Sequence, residues 1–207
     1  MVRGPSTHVR SLELTGRRVS LTTLVDADYP EWLEVRRRCR DWLVPWEPRS
    51  KGAPLPAEDQ ASFAARCAMR ERERQLGSGF GFGIFHEGRF AGEVTLSSIQ
   101  RGPFQNGAIG YWIDKAFAGL GLTPEAVVVV LEFAFETLRL HRVEIAIIPR
   151  NAASRRVVEK LELRNEGVAL GFLEINGQWE DHVRYAMTAE EWRVRGPELK
   201  STWLKRN

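Results

Sequence analysis

The sequence predicts a single mixed α/β domain, and three observations carry that prediction. Short runs of alternating or continuous apolar residues, bounded by turn residues, recur along the chain as strands do. Between them lie stretches with apolar residues at helical spacing. One of these, 123–138, is aliphatic around most of its circumference, so it belongs against a sheet and not in solvent.

Taken in order, residues 19–24 alternate as an opening strand. Asp26 or Asp28 then offers a helix cap, and Trp32, Val35, Cys39 and Trp42 recur at helical spacing as a core-facing stripe. That helix stops near Pro45, because proline disfavours helical geometry in the residue before it. Residues 46–56 form a loop rich in proline, glycine and charge, and 57–76 a second helix that Gly77-Ser78-Gly79 breaks. Two strands follow over 80–85 and 90–98, with turn chemistry at His86-Glu87-Gly88. Residues 108–113 and 142–148 are further strands on either side of helix 123–138, and 151–161 is a helix with a cap residue at its start. The strands 168–175 and 179–188 close the series around Asn176-Gly177, a strong two-residue hairpin signal. The domain is expected over 12–192, with 1–11 and 193–207 as flexible terminal extensions.

A chain of 207 residues buries a core without disulfides or metals. Cys39 and Cys67 stand alone beside apolar neighbours and are expected to be small buried hydrophobes, not a metal site. The net charge of +3 suits an anionic partner such as a nucleotide cofactor, but no nucleic-acid recognition motif accompanies it, so sequence-specific nucleic-acid binding is not expected. No signal peptide or membrane span is present in the sequence, and the expectation is a cytoplasmic protein.

The informative stretch is Gly110-Tyr111-Trp112-Ile113-Asp114 followed by Ala118-Gly119-Leu120-Gly121-Leu122-Thr123-Pro124-Glu125. A strand runs through a glycine-bearing turn straight into a buried helix. The free amides of a helix's first turn bind phosphate, glycine lets the ligand approach, and Pro124 sits where its missing N–H costs nothing. A P-loop is excluded, since no lysine follows these glycines, and the dinucleotide fingerprint fails at Pro124. On this pattern alone, a diphosphate site and an ordinary strand-to-helix turn both stand.

The same stretch resembles the acetyl-CoA loop of GNAT acetyltransferases, Gln/Arg-x-x-Gly-x-Gly/Ala. Gly121 matches its central glycine, and Ala118 and Thr123 depart from its outer positions. The likeness extends over most of the chain and is nearest the RimJ/RimL group of ribosomal-protein N-acetyltransferases. Arg40-Asp41-Trp42-Leu43-Val44-Pro45-Trp46-Glu47, Asn151-Ala152-Ala153-Ser154 and Gly177-Gln178-Trp179-Glu180-Asp181-His182 are similar to that group's elements in the same order.

The resemblance implies a mostly antiparallel seven-stranded sheet with about four helices, splayed between strands 4 and 5, where acetyl-CoA lies. It implies backbone contacts from Trp112 and Ile113 to the pantetheine arm, in the manner of an added strand, with the amide at Ile113 polarising the thioester carbonyl. It assigns the pyrophosphate to Ala118, Gly119, Leu120, Gly121, Leu122 and Thr123, and the arm and sulfur end to Asn151 and Ser154. Ser154 is the candidate for protonating the leaving thiolate, and a capping role is its alternative. The RimL glutamate falls at Leu173, so the base is sought at Glu93, or at Glu174 if a bulge turns it inward. Trp42, Trp46 and Tyr185 are the candidate acceptor wall, and His182 with Asp181 a relay or, more simply, a hairpin ion pair. The acceptor implied is a protein N-terminus, with a small amine or a non-catalytic acyl-CoA-binding module as alternatives. Ribosome association and a homodimer stay open as partners, and coenzyme A is the product.

Overall fold

The computed structural model describes residues 12–52 and 57–205. The expected extension 1–11 and loop residues 53–56 lie outside them. Strands β1 (Glu13–Thr15) and β2 (Val19–Thr22) open the chain, followed by helices α1 (Tyr29–Arg38), α2 (Arg40–Leu43) and α3 (Gln60–Leu76). Then come β3 (Phe80–His86), β4 (Arg89–Gln100), β5 (Asn106–Ile113), α4 (Leu122–Glu132), β6 (Arg142–Ile147), α5 (Ala152–Lys160), β7 (Arg164–Ile175), β8 (Gln178–Thr188) and α6 (Ala189–Trp203).

The strands form one eight-stranded sheet in the order β1-β2-β3-β4-β5-β6-β8-β7. The contact between β5 and β6 is parallel, and the others are antiparallel. The expected seven strands thus gain β1, whose three residues are too few to show a period. The two tight hairpins have the geometry their residues demand. Glu87 and Gly88 take φ of 51° and 77°, and Asn176 and Gly177 take 46° and 84°, the left-handed pairs that a two-residue connection needs.

Helix α4 lies in the main core, and every residue from Leu122 to Leu131 is buried. It packs with Phe82, Ile84, Val94, Leu96, Val143, Ile145 and Val183 from the sheet and with Trp192 and Leu199 of α6. The sheet's other face carries α1 to α3 over a second cluster of Trp32, Val35, Cys39, Leu43, Phe63, Phe85 and Phe90. Cys39 is buried there, as expected, and Cys67 packs at its margin. α4 ends earlier than the aliphatic pattern implies, passing into a π-helical turn over Phe133–Thr137.

Most of the expected tail is helical: residues 193–203 continue α6, which Thr188 and Glu191 open with a capping box. Trp192 stacks on Phe135 and donates to Glu136, and Lys200 pairs with Glu132 and Glu136. Among the described residues no helix is long and apolar enough to cross a membrane.

Candidate active site

β5 and β6 are neighbours only at their starts, where Asn106, Gly107 and Ala108 pair with Arg142, Val143 and Glu144. Beyond that point β5 stays with β4 as far as Ile113, and β6 stays with β8 as far as Ile147. A wedge-shaped gap therefore opens between two strands that each keep a neighbour on the far side only. The Asp114 amide donates to Ala91 of β4, and Trp112 O lies 2.3 Å from the point a Cβ on Gly92 would occupy. Strand alternation turns the amides of Trp112 toward β4 and those of Tyr111 and Ile113 into the gap. This corrects the sequence expectation for Trp112, whose backbone is engaged in the sheet. The Ile113 carbonyl accepts a hydrogen bond from Trp42 Nε1 at 3.1 Å, at the mouth of the gap.

The connection from β5 to α4 is pinned at both ends by buried carboxylates. Asp114 receives both Arg38 Nη atoms at 2.8 and 2.9 Å, the Cys39 thiol and the Ala116 amide. Burial alone would raise its pKa, but these donors, Arg38 first, hold it below the usual carboxylate range. Burial likewise pushes the Cys39 thiol up. At the other end Glu125, fully buried, accepts from the amides of Arg18 and Val19. Between them Gly119 and Gly121 take φ of 84° and 80°, and Gly121 caps α4 in the left-handed region. The first helical hydrogen bond runs from the Glu125 amide to Gly121 O, so the amides of Gly121, Leu122 and Thr123 precede it. Gly119 and Leu120 are exposed, and nothing lies within 4 Å of a Cβ position on Gly119. Orphan amides, an approachable glycine turn and a helix dipole fit a pyrophosphate.

α5 forms the opposite wall. Asn151 Oδ1 accepts the Ser154 amide at 3.1 Å, so Asn151 caps the helix, and Ser154 Oγ is turned away to donate to the Tyr111 hydroxyl at 3.1 Å. Tyr111 in turn donates to the Ser154 carbonyl at 2.9 Å, and burial raises its phenol pKa far above the ordinary value. Tyr185 belongs to this wall as well. It is buried in the main core with its hydroxyl 3.3 Å from Arg155 Nε. That corrects its expected position beside Trp42 and Trp46, because odd residues of β8 face α4 and α5.

On the face under α1 and α3, Glu93 is buried, with Oε1 accepting Trp32 Nε1 at 2.9 Å and Oε2 held by Arg66. Trp42 and Trp46 belong to a strap that crosses from β5 to the last hairpin. Glu47 pairs with Arg36 of α1, and the Arg150 guanidinium lies 4.9 Å from the centroid of the Trp46 ring. Pro48 bridges to Ile175, and Glu47 O, Arg49 N and Arg49 O bond to Asn176, Glu174 and Gly177.

Glu174 belongs to that seam. Its carboxylate accepts the Lys51 amide at 2.5 Å. The β7 irregularity ends at Leu173, and Glu174 sits in register opposite Trp179, so no bulge turns it inward. Leu173 is partly exposed opposite Glu180. His182 and Asp181 do not pair either. His182 Nδ1 meets Glu180 O at 3.0 Å, and Asp181 accepts the Gly171 amide. Among the described residues no cluster of His, Cys, Asp and Glu could hold a metal.

Sequence reasoning missed Tyr111, Arg18, Arg38, Asp114 and Glu125 as parts of the site. Tyr111 could have been found, since alternation sets it on the gap side next to Trp112. The other four depend on pairings between distant segments, which no local pattern signals.

Comparison with known proteins accords with this geometry. The family described as "Acetyltransferase (GNAT) domain" matches residues 18–164. A probable N-acetyltransferase of Bacillus subtilis, YjcK, is 35% identical over 184 residues, covering 88% of this chain and 93% of that protein. The ribosomal protein uS5-alanine N-acetyltransferase of Escherichia coli is 31% identical over 192 residues, covering 91% and 97%. Among solved structures, Mycobacterium smegmatis RimJ in complex with CoA-disulfide superposes with a TM-score of 0.84 at 28% identity, covering 92% of each chain.

Proposed function

Because the chain belongs to the GNAT acetyltransferase family, we propose that it acetylates the N-terminal α-amino group of a protein, with a ribosomal protein as leading acceptor and the cytoplasm as its place of action. The chain is an acetyl-CoA-dependent acyltransferase. The observation that carries the reading is the gap between β5 and β6, closed at Asn106–Ala108 and opening beside the glycine turn that caps α4. The acceptor class is supported by the uS5-alanine N-acetyltransferase, which aligns along nearly the whole of both chains.

Acetyl transfer to an amine needs a neutral nucleophile, a stabilised oxyanion and a protonated leaving thiol. An α-amine has a pKa of about 8, so a modest base suffices near neutral pH. In this reading the Ile113 amide, turned into the gap, stabilises the oxyanion. The Ser154 hydroxyl supplies the proton to the thiolate, and its contact with Tyr111 keeps it on the gap side of α5. Glu93 takes the amine proton, directly or through water. Trp42, Trp46 and the strap wall the acceptor entrance, with Trp46 offering a broad face to a peptide backbone.

A small-amine acceptor is the second reading, favoured by one feature. The strap is stitched to the β7–β8 hairpin, which bounds the entrance on that side. A thiol-release assay with a panel of N-terminal peptides and small amines separates the two. Turnover is expected with peptides, and turnover with small amines alone would overturn the proposal.

A further inference from the structure

We propose that Arg18 is a positioning residue for the pyrophosphate turn, acting on it from the connection between β1 and β2. The turn has no long side chain of its own where the family pattern carries Gln or Arg, since that position is Ala118. Arg18 comes to it from the far end of the chain. Its amide donates to Glu125 Oε1 at 2.5 Å and its Nε to Glu125 Oε2 at 2.9 Å. Val19 adds a third N–H to the same carboxylate at 3.1 Å. Glu125 is fully buried in the first turn of α4, so the arrangement fixes the guanidinium relative to the start of that helix.

The rest of the guanidinium is then aimed at the turn. Nη1 donates to the Leu120 carbonyl at 2.9 Å, and Nη2 lies 3.3 Å from the point a Cβ on Gly121 would occupy. In a trans peptide the C=O and the following N–H point in opposite directions. By holding the Leu120 carbonyl, Arg18 turns the Gly121 amide away from itself, presented to a ligand instead of folded back on the protein. The same contact sets a cation beside the turn, and the side chain keeps about a third of its surface exposed, at 34%. Arg18 thus aligns one of the amides that meet the pyrophosphate and adds charge of the needed sign.

The inference rests on the acetyl-CoA reading of the turn and is independent of the acceptor. Its test is Arg18→Met, which keeps the aliphatic stem, measured with two donors. Calorimetry should give an affinity for coenzyme A roughly ten- to a hundredfold weaker, from one misaligned amide and a lost cation beside the pyrophosphate. KM for acetyl-CoA should rise in step while kcat at saturation stays within about twofold. Acetyl-pantetheine, which has no pyrophosphate, should react at the wild-type kcat/KM. Equal losses with both donors would mean general damage and overturn the proposal, as would unchanged coenzyme A affinity. Should the Met variant not fold, Arg18→Lys keeps a cation on Glu125 but cannot span both Glu125 and Leu120. It should show the same donor-selective loss at smaller size, and wild-type affinity would overturn the proposal. Failure of the wild-type protein to bind coenzyme A would instead sink the reading of the turn.

Discussion

The turn into α4 and the face beneath α1 and α3 both bury carboxylates, but they hold them by different kinds of donor. Glu125 accepts two backbone amides and one guanidinium N–H, and Asp114 accepts a backbone amide besides Arg38. Glu93 is held by side chains alone, the Trp32 indole and Arg66. A carboxylate bonded to backbone amides cannot change its charge without disturbing the chain that carries them. One bonded to side chains can exchange a donor for a proton, a water or an amine while the backbone stays put. On the proposed reading, the difference sets the carboxylates at the turn apart from Glu93, the base proposed for the amine.

The largest test of that division is Glu125→Gln. An amide there keeps its oxygen on the Arg18 and Val19 amides, but sets its NH2 against the Arg18 Nε–H and removes the charge facing Arg18. Removing one partner of a buried ion pair costs about 3–5 kcal/mol, and the 34% exposure of the Arg18 side chain brings the expectation here to about 2–3 kcal/mol. Denaturant unfolding is expected to show a loss near that range, and a change below about 1 kcal/mol would mean that the Glu125 charge does not hold the turn.

Glu93→Gln should show its larger effect in turnover. The indole keeps its acceptor but the new NH2 faces Arg66, so stability is expected to fall as well, while coenzyme A affinity changes little. Turnover should fall about a hundredfold, within the range for losing a general base. A variant that melts early but turns over normally per folded molecule would make Glu93 a structural residue and leave the amine proton to water.

Asp114→Asn sharpens the comparison through pH. The folded pKa of Asp114 is depressed, so its stabilising contribution is complete above the ordinary aspartate range and is lost as pH falls through the lower folded value. Wild type should exceed the variant by about 1–2 kcal/mol at about pH 7, since Arg38 can be partly solvated when its partner is lost. That margin should narrow on acidification below about pH 4. A margin constant with pH would mean that packing, not charge, is what the substitution removes.

What the sequence disclosed follows the same line between local and distant interactions. The Asn176-Gly177 hairpin, the Gly121 cap and the buried face of α4 are written in adjacent residues, and each forms as expected. The capping box of Thr188 and Glu191 is equally local, but the polar residues beyond it give no helical stripe to mark the helix it opens. The parting of β5 from β6 has no period or composition to mark it, so only resemblance pointed to it. The strap was legible as a loop, but its seam with Glu174, Ile175 and Asn176 joins segments far apart in sequence. The place of Tyr185 and the absence of a bulge at Glu174 are hidden for the same reason. Which face a strand residue serves depends on which neighbour the sheet gives it.

The smallest effect belongs to that strap. Trp46 is half-buried beneath Arg150, which also pairs with Glu180 of β8, and the backbone seam on either side of it does not depend on its ring. Trp46→Ala should leave the seam in place, and with it thermal stability and coenzyme A affinity. If the ring is part of the acceptor wall, KM for a peptide acceptor should rise about three- to tenfold, the loss of roughly 1 kcal/mol of face contact, at nearly constant kcat. A matching rise for a short amine that cannot reach the strap would mean that the substitution has shifted the Ile113 end of the gap instead. An unchanged KM for every peptide would remove Trp46 from the wall and leave Trp42, bonded to the Ile113 carbonyl, as its aromatic member.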